Sequence, residues 1–156
     1  MRATREASPR ELEKLAIDRL REMEAFGVRT VEIKSGYGLS VESELKLLEV
    51  IPKLRQRFPQ LTLMSTFLGA HALPHDRTRA QYLDDLIKVM LPEVARKKLA
   101  DACDVFVDEG YYTVAEAKQI LGRARDLGLN VKVHADELGN TESASFAASI
   151  NALSAD

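Results

Sequence analysis

Along this whole chain, segments with the two-residue period of β-strands alternate with segments of helical period, and that alternation restricts the fold more than any other feature. Strand-like stretches run from Thr30 to Ile33, Leu61 to Phe67, Asp104 to Val107 and Val131 to Ala135. Ser8-Pro9-Arg10-Glu11 opens the first helix as a capping box with proline at the first helical position. Leu12, Leu15, Ala16, Leu20 and Met23 give that helix one apolar face, and Gly27 stops it. Ser40 caps a second helix, with Leu45, Leu48 and Leu54 at helical spacing, which Pro52 interrupts and Pro59 closes. Leu68 to His75 reads as a loop. Thr78 to Leu99 is helical, with Pro92 either a kink or a new start. Thr113-Val114-Ala115-Glu116 is another capping box, opening a helix that Gly128 ends. A small-residue helix follows from about Glu142 to Ile150, and Ala152 to Asp156 begins a further strand.

Regular βα units of this length imply parallel strands joined by right-handed crossovers. Both a doubly wound sheet and a (β/α)8 barrel satisfy that pattern, and strand polarity separates them. Glu32 and Lys34 share one face of the first strand, Asp104 and Asp108 one face of the third, and Lys132 lies on the fourth. A sheet covered by helices on both faces would bury these charges against apolar surface. In a barrel they point inward and pair. The fold class is therefore α/β, a partial TIM-type barrel of about four parallel strands. A whole barrel needs about 250 residues. Only about half of its strands are present, so the 156 residues form part of one such domain, and the chain reads as a piece of a longer polypeptide.

Composition narrows the function by exclusion. A net charge of −2 with the two signs mixed gives no electrostatic footing for nucleic acid or an anionic membrane. No apolar run has the length of a membrane span, and no signal or transit peptide is recognisable, so the expected compartment is the cytoplasm. The single cysteine, Cys103, excludes an internal disulfide framework and reads as a core thiol.

Candidate chemistry gathers where strands end, since α/β folds place ligands at the C-terminal ends of their strands. In Val131-Lys132-Val133-His134-Ala135-Asp136-Glu137, period two puts Lys132, His134 and Asp136 on one face and the apolar residues on the other. That segment fits either a metal or acid–base cluster or a solvated polar strand end. Glu137 leaves the strand and can swing over the barrel mouth, where partial burial would raise its pKa and suit it to moving protons. His71 lies in a Gly-Ala-His-Ala-Leu-Pro loop, and a lone loop histidine is more often solvated than functional. His75 has the weaker case. Tyr37 sits between two glycines, which either supply turns or let the loop approach a ligand. No glycine-rich phosphate loop, Ser-His-Asp order or cysteine-pair zinc motif is present. Histidines and a glutamate at successive strand ends suit metal-assisted hydrolysis of a small polar substrate.

Four segments carry a resemblance: Glu32-Ile33-Lys34-Ser35-Gly36-Tyr37-Gly38-Leu39, Thr66-Phe67-Leu68-Gly69-Ala70-His71-Ala72-Leu73-Pro74, Asp104-Val105-Phe106-Val107-Asp108-Glu109-Gly110 and Lys132-Val133-His134-Ala135-Asp136-Glu137. Together, and in this order, they resemble the imidazolonepropionase family of the amidohydrolase superfamily. The resemblance implies hydrolysis of 4-imidazolone-5-propanoate to N-formimidoyl-L-glutamate, in histidine degradation, on one zinc or iron ion. It implies His134 as a metal ligand, Glu137 as the residue that binds the ring and handles the proton of the attacking water, His71 as the group that polarises the substrate carbonyl, and Tyr37 as a substrate contact. It also implies a homodimeric whole enzyme. The family's His-x-His pair and a further aspartate ligand have no counterpart in these residues, so the chain alone is expected to be inactive and to bind metal weakly. Two alternatives remain at this point: a non-catalytic α/β module that binds a small ligand, and an amidohydrolase acting on another cyclic amide.

Overall fold

The structure, a computed structural model, describes residues 2–156. Four strands, β1 (Thr30–Lys34), β2 (Thr62–Ala70), β3 (Ala102–Val107) and β4 (Asn130–Ala135), form one parallel sheet in the order β1-β2-β3-β4. Helices α1 (Arg2–Glu6) and α2 (Pro9–Ala25) precede β1, and α3 (Val41–Arg57) joins β1 to β2. Between β2 and β3 run α4 (Arg79–Asp85), a π-helical turn (Leu86–Met90) and α5 (Leu91–Arg96). Helix α6 (Val114–Asp126) joins β3 to β4, and α7 (Ser143–Ser149) follows. Residues 153–156 then lie along β4, with Leu153 N–H donating to Val131 O and Asp156 N–H to Val133 O. The sheet is not closed, as expected of a partial barrel.

Register divides the sheet into two unlike faces. Val31 and Ile33 align with Leu63 and Ser65, and Cys103, Val105 and Val107 with Val131, Val133 and Ala135. Phe67, Cys103, Val105, Val107, Val131 and Val133 from this face pack with helical Leu48, Ile51, Met90, Leu91, Ile120 and Leu121 in one core. Burying such aliphatic and aromatic side chains contributes about 1.5–3 kcal/mol each. The opposite face carries Glu32, Lys34, Thr66, Asp104, Lys132 and His134, the polar interior expected of a barrel. Burial pushes the Cys103 thiol well up, which keeps it protonated and inert within the core.

Several boundaries differ from the sequence expectation for local reasons. Pro52 does not interrupt its helix: α3 runs through it, because a lost hydrogen bond is outweighed by burial of Leu48, Ile51 and Leu54 around it. Strand β2 extends to Ala70, so Leu68-Gly69-Ala70 is strand rather than loop, with a register shift between Phe67 and Ala70. Pro92 opens a separate short helix, one of the two expectations, but as the second residue of α5 after Leu91. The preceding turn widens, with Leu91 N–H reaching back to Leu86 O, and the missing proline N–H is absorbed there. Asp108 does not share a strand face with Asp104. It lies past the end of β3 and accepts from Glu109 N–H (2.7 Å) and Leu138 N–H (2.6 Å), bracing the loop after β4.

Candidate functional site

The polar face is wired as one ionic network. Lys34 Nζ lies 2.8 Å from Asp104 Oδ2, 3.0 Å from Asp156 Oδ2 and 3.6 Å from Glu32 Oε2. Lys132 Nζ reaches Glu32 Oε2 at 2.7 Å, and Thr66 donates to the other Glu32 oxygen. Burial alone would raise the Glu32 carboxyl, but Lys132, Thr66 and Lys34 outweigh it and hold it low. Burial would likewise lower Lys34, and its contact with Asp104 raises it instead.

His134 stands at the C-terminal end of β4 beside this network. Its Nδ1 is 3.0 Å from Oδ2 of fully buried Asp104, whose proximity raises the imidazole pKa. The approach suits an ion pair but not an aligned hydrogen bond, and Nδ1 and Asp104 Oδ1 are both buried without a hydrogen-bond partner. Ligand atoms of Asp104, His134 and Asp156 lie within 4.8 Å of one another. An imidazole with two carboxylates is a donor set that zinc or ferrous iron accepts, and orphaned buried donors are what a bound cation satisfies. A carboxylate at one ring nitrogen is also how proteins orient an imidazole that ligates through the other. The residues present therefore fit a metal. Asp104 and Asp156 were not candidates on sequence, because nothing in local spacing brings residue 156 back to residue 104; only the alignment of 153–156 with β4 does.

Asp136 is not part of this face. Its backbone turns left-handed (φ 54°), and its carboxylate accepts from Thr141 N–H, Ala144 N–H and the Ser143 hydroxyl. Those bonds hold its carboxyl far below the usual range and cap the start of α7. Glu137 is exposed rather than partly buried. It lies two residues beyond the end of β4. His75 is exposed as well.

His71 follows β2 directly and is half-buried. Its Nδ1 lies 3.0 Å from the Gly36 carbonyl oxygen. A carbonyl only accepts, so Nδ1 carries the proton and Nε2 points elsewhere. The His71 ring meets Tyr37 edge-on at 5.1 Å and Phe106 at 6.0 Å, and Phe106 in turn packs 5.7 Å from His134. One aromatic ring thus separates the two histidines. Tyr37 is more than half exposed (53%). A hollow of ≈ 410 Å³ lies beyond β1, among Leu12, Ala16, Ile33, Tyr37 and Leu54; neither histidine lines it.

Parallel strands with helices packed on one face and ionisable groups gathered on the other are the arrangement of an open, partial α/β barrel. Along its whole length the chain is a relative of the imidazolonepropionases. It is 47% identical to the imidazolonepropionase of Clostridium tetani over 158 aligned residues, 48% to that of Symbiobacterium thermophilum and 44% to that of Stenotrophomonas maltophilia. All of this chain is covered in each case, and 38%, 37% and 38% of the respective relatives. The chain therefore spans somewhat over a third of the curated relatives it matches. No family model matches it. Identity of this extent to named hydrolases does not favour the non-catalytic binding module.

Proposed function

We propose that this chain supplies the central strands of a metal-dependent cyclic amidohydrolase that opens the ring of 4-imidazolone-5-propanoate to N-formimidoyl-L-glutamate in histidine degradation. The observation that carries this reading is the 47% identity to an imidazolonepropionase over an alignment that covers the whole chain, and with it the segments bearing Tyr37, His71, His134 and Glu137. His134, oriented by Asp104, would hold a zinc or iron ion. A divalent ion there would supply a water acidic enough to lose its proton near neutral pH. Glu137, exposed just beyond the end of β4, would be the base for that proton and the acid for the departing ring nitrogen. With Nδ1 committed to the Gly36 carbonyl, a neutral His71 offers Nε2 as an acceptor for a ring N–H, and donates to the substrate carbonyl only as the imidazolium. Tyr37 closes the substrate side of His71 through their edge contact.

The 156 residues alone are inactive in this reading, because Asp104 and Asp156, the two carboxylates that could join His134 in a three-ligand set, are both engaged by Lys34. The whole enzyme would act in the cytoplasm, which the lone cysteine fits, and as a homodimer, which rests on the resemblance alone. Among the described residues no helix is long and apolar enough to cross a membrane. The test joins this chain to the flanking portions of an imidazolonepropionase and follows loss of the imidazolone chromophore with zinc or iron supplied. Turnover by the fusion, none by the chain alone, and a loss of about 10²-fold or more in the H134A fusion are expected. A fusion that folds and binds metal yet hydrolyses a different cyclic amide instead would overturn the substrate assignment.

A further inference from the structure

Glu44 is fully buried, and among the described residues no cationic side chain pairs with it. Its carboxylate is satisfied entirely by main chain. Oε2 accepts from Gly36 N–H (2.8 Å), and Oε1 accepts from Gly38 N–H (2.7 Å) and Leu39 N–H (2.9 Å). Three converging N–H groups of one turn form a nest for an anion, and here the anion is the protein's own. Neutral side chains would leave some of these donors unpaired, at a cost that explains why an acid is buried at all.

The arrangement has a directional result. The peptides 35–36, 37–38 and 38–39 are all clamped through their N–H groups, so the peptide 36–37 between them is fixed too. Its carbonyl is the one that meets His71 Nδ1. Gly36 has a positive φ (103°), and a side chain there would come within 2.6 Å of Leu68 O and 3.1 Å of the His71 Cβ. Leu39 also holds a left-handed backbone (φ 52°), a strain that a fluctuating loop would release.

We propose that Glu44 is the positioning residue of the candidate site: by clamping the Gly36–Leu39 turn it aims the Gly36 carbonyl at His71, and so fixes that ring as the Nδ1–H tautomer with Nε2 presented for substrate. Only the last step, that Nε2 faces substrate, rests on the hydrolase reading. The same clamp holds Tyr37, between the two glycines, against the His71 ring. Glu44 touches no reacting atom and acts through the main chain.

The experiment is nitrogen NMR on the full chain labelled with ¹⁵N-histidine, well above the ordinary imidazole pKa so that the ring is neutral. In the wild type His71 is expected to show the Nδ1–H pattern, the less common form of imidazole in water. In Glu44→Gln, whose amide sets a donor against the turn's N–H groups, that pattern is lost in favour of the Nε2–H form, while the β3–β4 amide signals stay in place. Ser35→Ala is the control. It removes another bond of the same turn, Leu68 N–H to Ser35 Oγ (3.1 Å), and leaves the tautomer unchanged. Should Glu44→Gln not fold, Glu44→Asp, with a carboxylate too short to reach every donor, is read the same way. An Nε2–H His71 in the wild type, an unaltered tautomer in a folded Glu44 variant, or an equal shift in Ser35→Ala each overturns the proposal. The readout contains neither substrate nor metal, so failure of the clamp and failure of the hydrolase reading are separate results.

Discussion

At the scale of single residues, the polar face stands or falls with Asp104. It is fully buried, and its partners are Lys34 and His134. Asp104→Ala removes the anion but leaves Lys34 with Asp156 and Glu32, so the loss is smaller than that of an isolated buried pair. A destabilisation of about 2–4 kcal/mol is expected, read as a lower urea midpoint at unchanged slope. Glu32 contributes to the acid limit, alongside Asp136, Asp156 and Glu116, whose carboxyls are also held low. Its folded pKa is depressed below the ordinary 4.5, so its contribution is complete above that value and disappears as pH falls through the lower folded one. Urea midpoints measured from about pH 7 to about pH 3 should fall only at the acid end, and Glu32→Gln should flatten that fall. A midpoint that drops equally in the Gln variant would assign the acid lability to the other depressed carboxyls.

At the scale of elements, the turn after β1 and the start of α7 are held by carboxylates that reach backbone from a distance. A Gly36→Ala side chain would meet Leu68 O at 2.6 Å in a left-handed backbone, and a cost of about 2 kcal/mol or more is expected in thermal unfolding. Asp136→Ala removes the cap of α7, a helix of 7 residues whose own N-cap residue, Glu142, makes no capping bond. Amide exchange at Ser143 and Ala144 should quicken while the α6 amides keep their protection. The legible elements were those whose signals are local: the capping boxes at Ser8 and Thr113 and the stop at Gly27 all lie where spacing placed them. What escaped depends on distant partners. Pro52 sits inside a helix because the core surrounds it, and Asp136 left the strand face because α7 draws its carboxylate away. The site divides in the same way. His71, His134 and Tyr37 were visible as residues at strand ends, whereas Asp104, Asp156 and Lys34 meet only through sheet register. Glu44 carries a weak local signal, an acid in the first turn of a helix just after a Gly-x-Gly turn.

At the scale of the whole molecule, the two faces of the sheet have unequal cover. One is covered by helices over two apolar clusters, while the other carries the ionic network and only residues 153–156 run along the outer edge of β4. Strand β1 pairs only with β2 among the described strands, so its far edge offers unpaired backbone groups. Beyond that edge lies the apolar hollow bordered by Leu12, Leu15 and Ile33, and on α2 Leu15 is 53% exposed, with Phe26 just past its end 82% exposed. Large apolar side chains left in water beside an open strand edge favour association over a dispersed monomer. The native chain should therefore bind a hydrophobic dye at neutral pH and sediment as a concentration-dependent mixture. Leu15→Glu combined with Phe26→Glu should lower the dye signal several-fold and shift the mixture toward monomer, with the urea midpoint little changed because neither side chain is in the core. A wild-type chain that is monomeric and silent to dye at every concentration would mean that the flank of β1 is covered by contacts of its own.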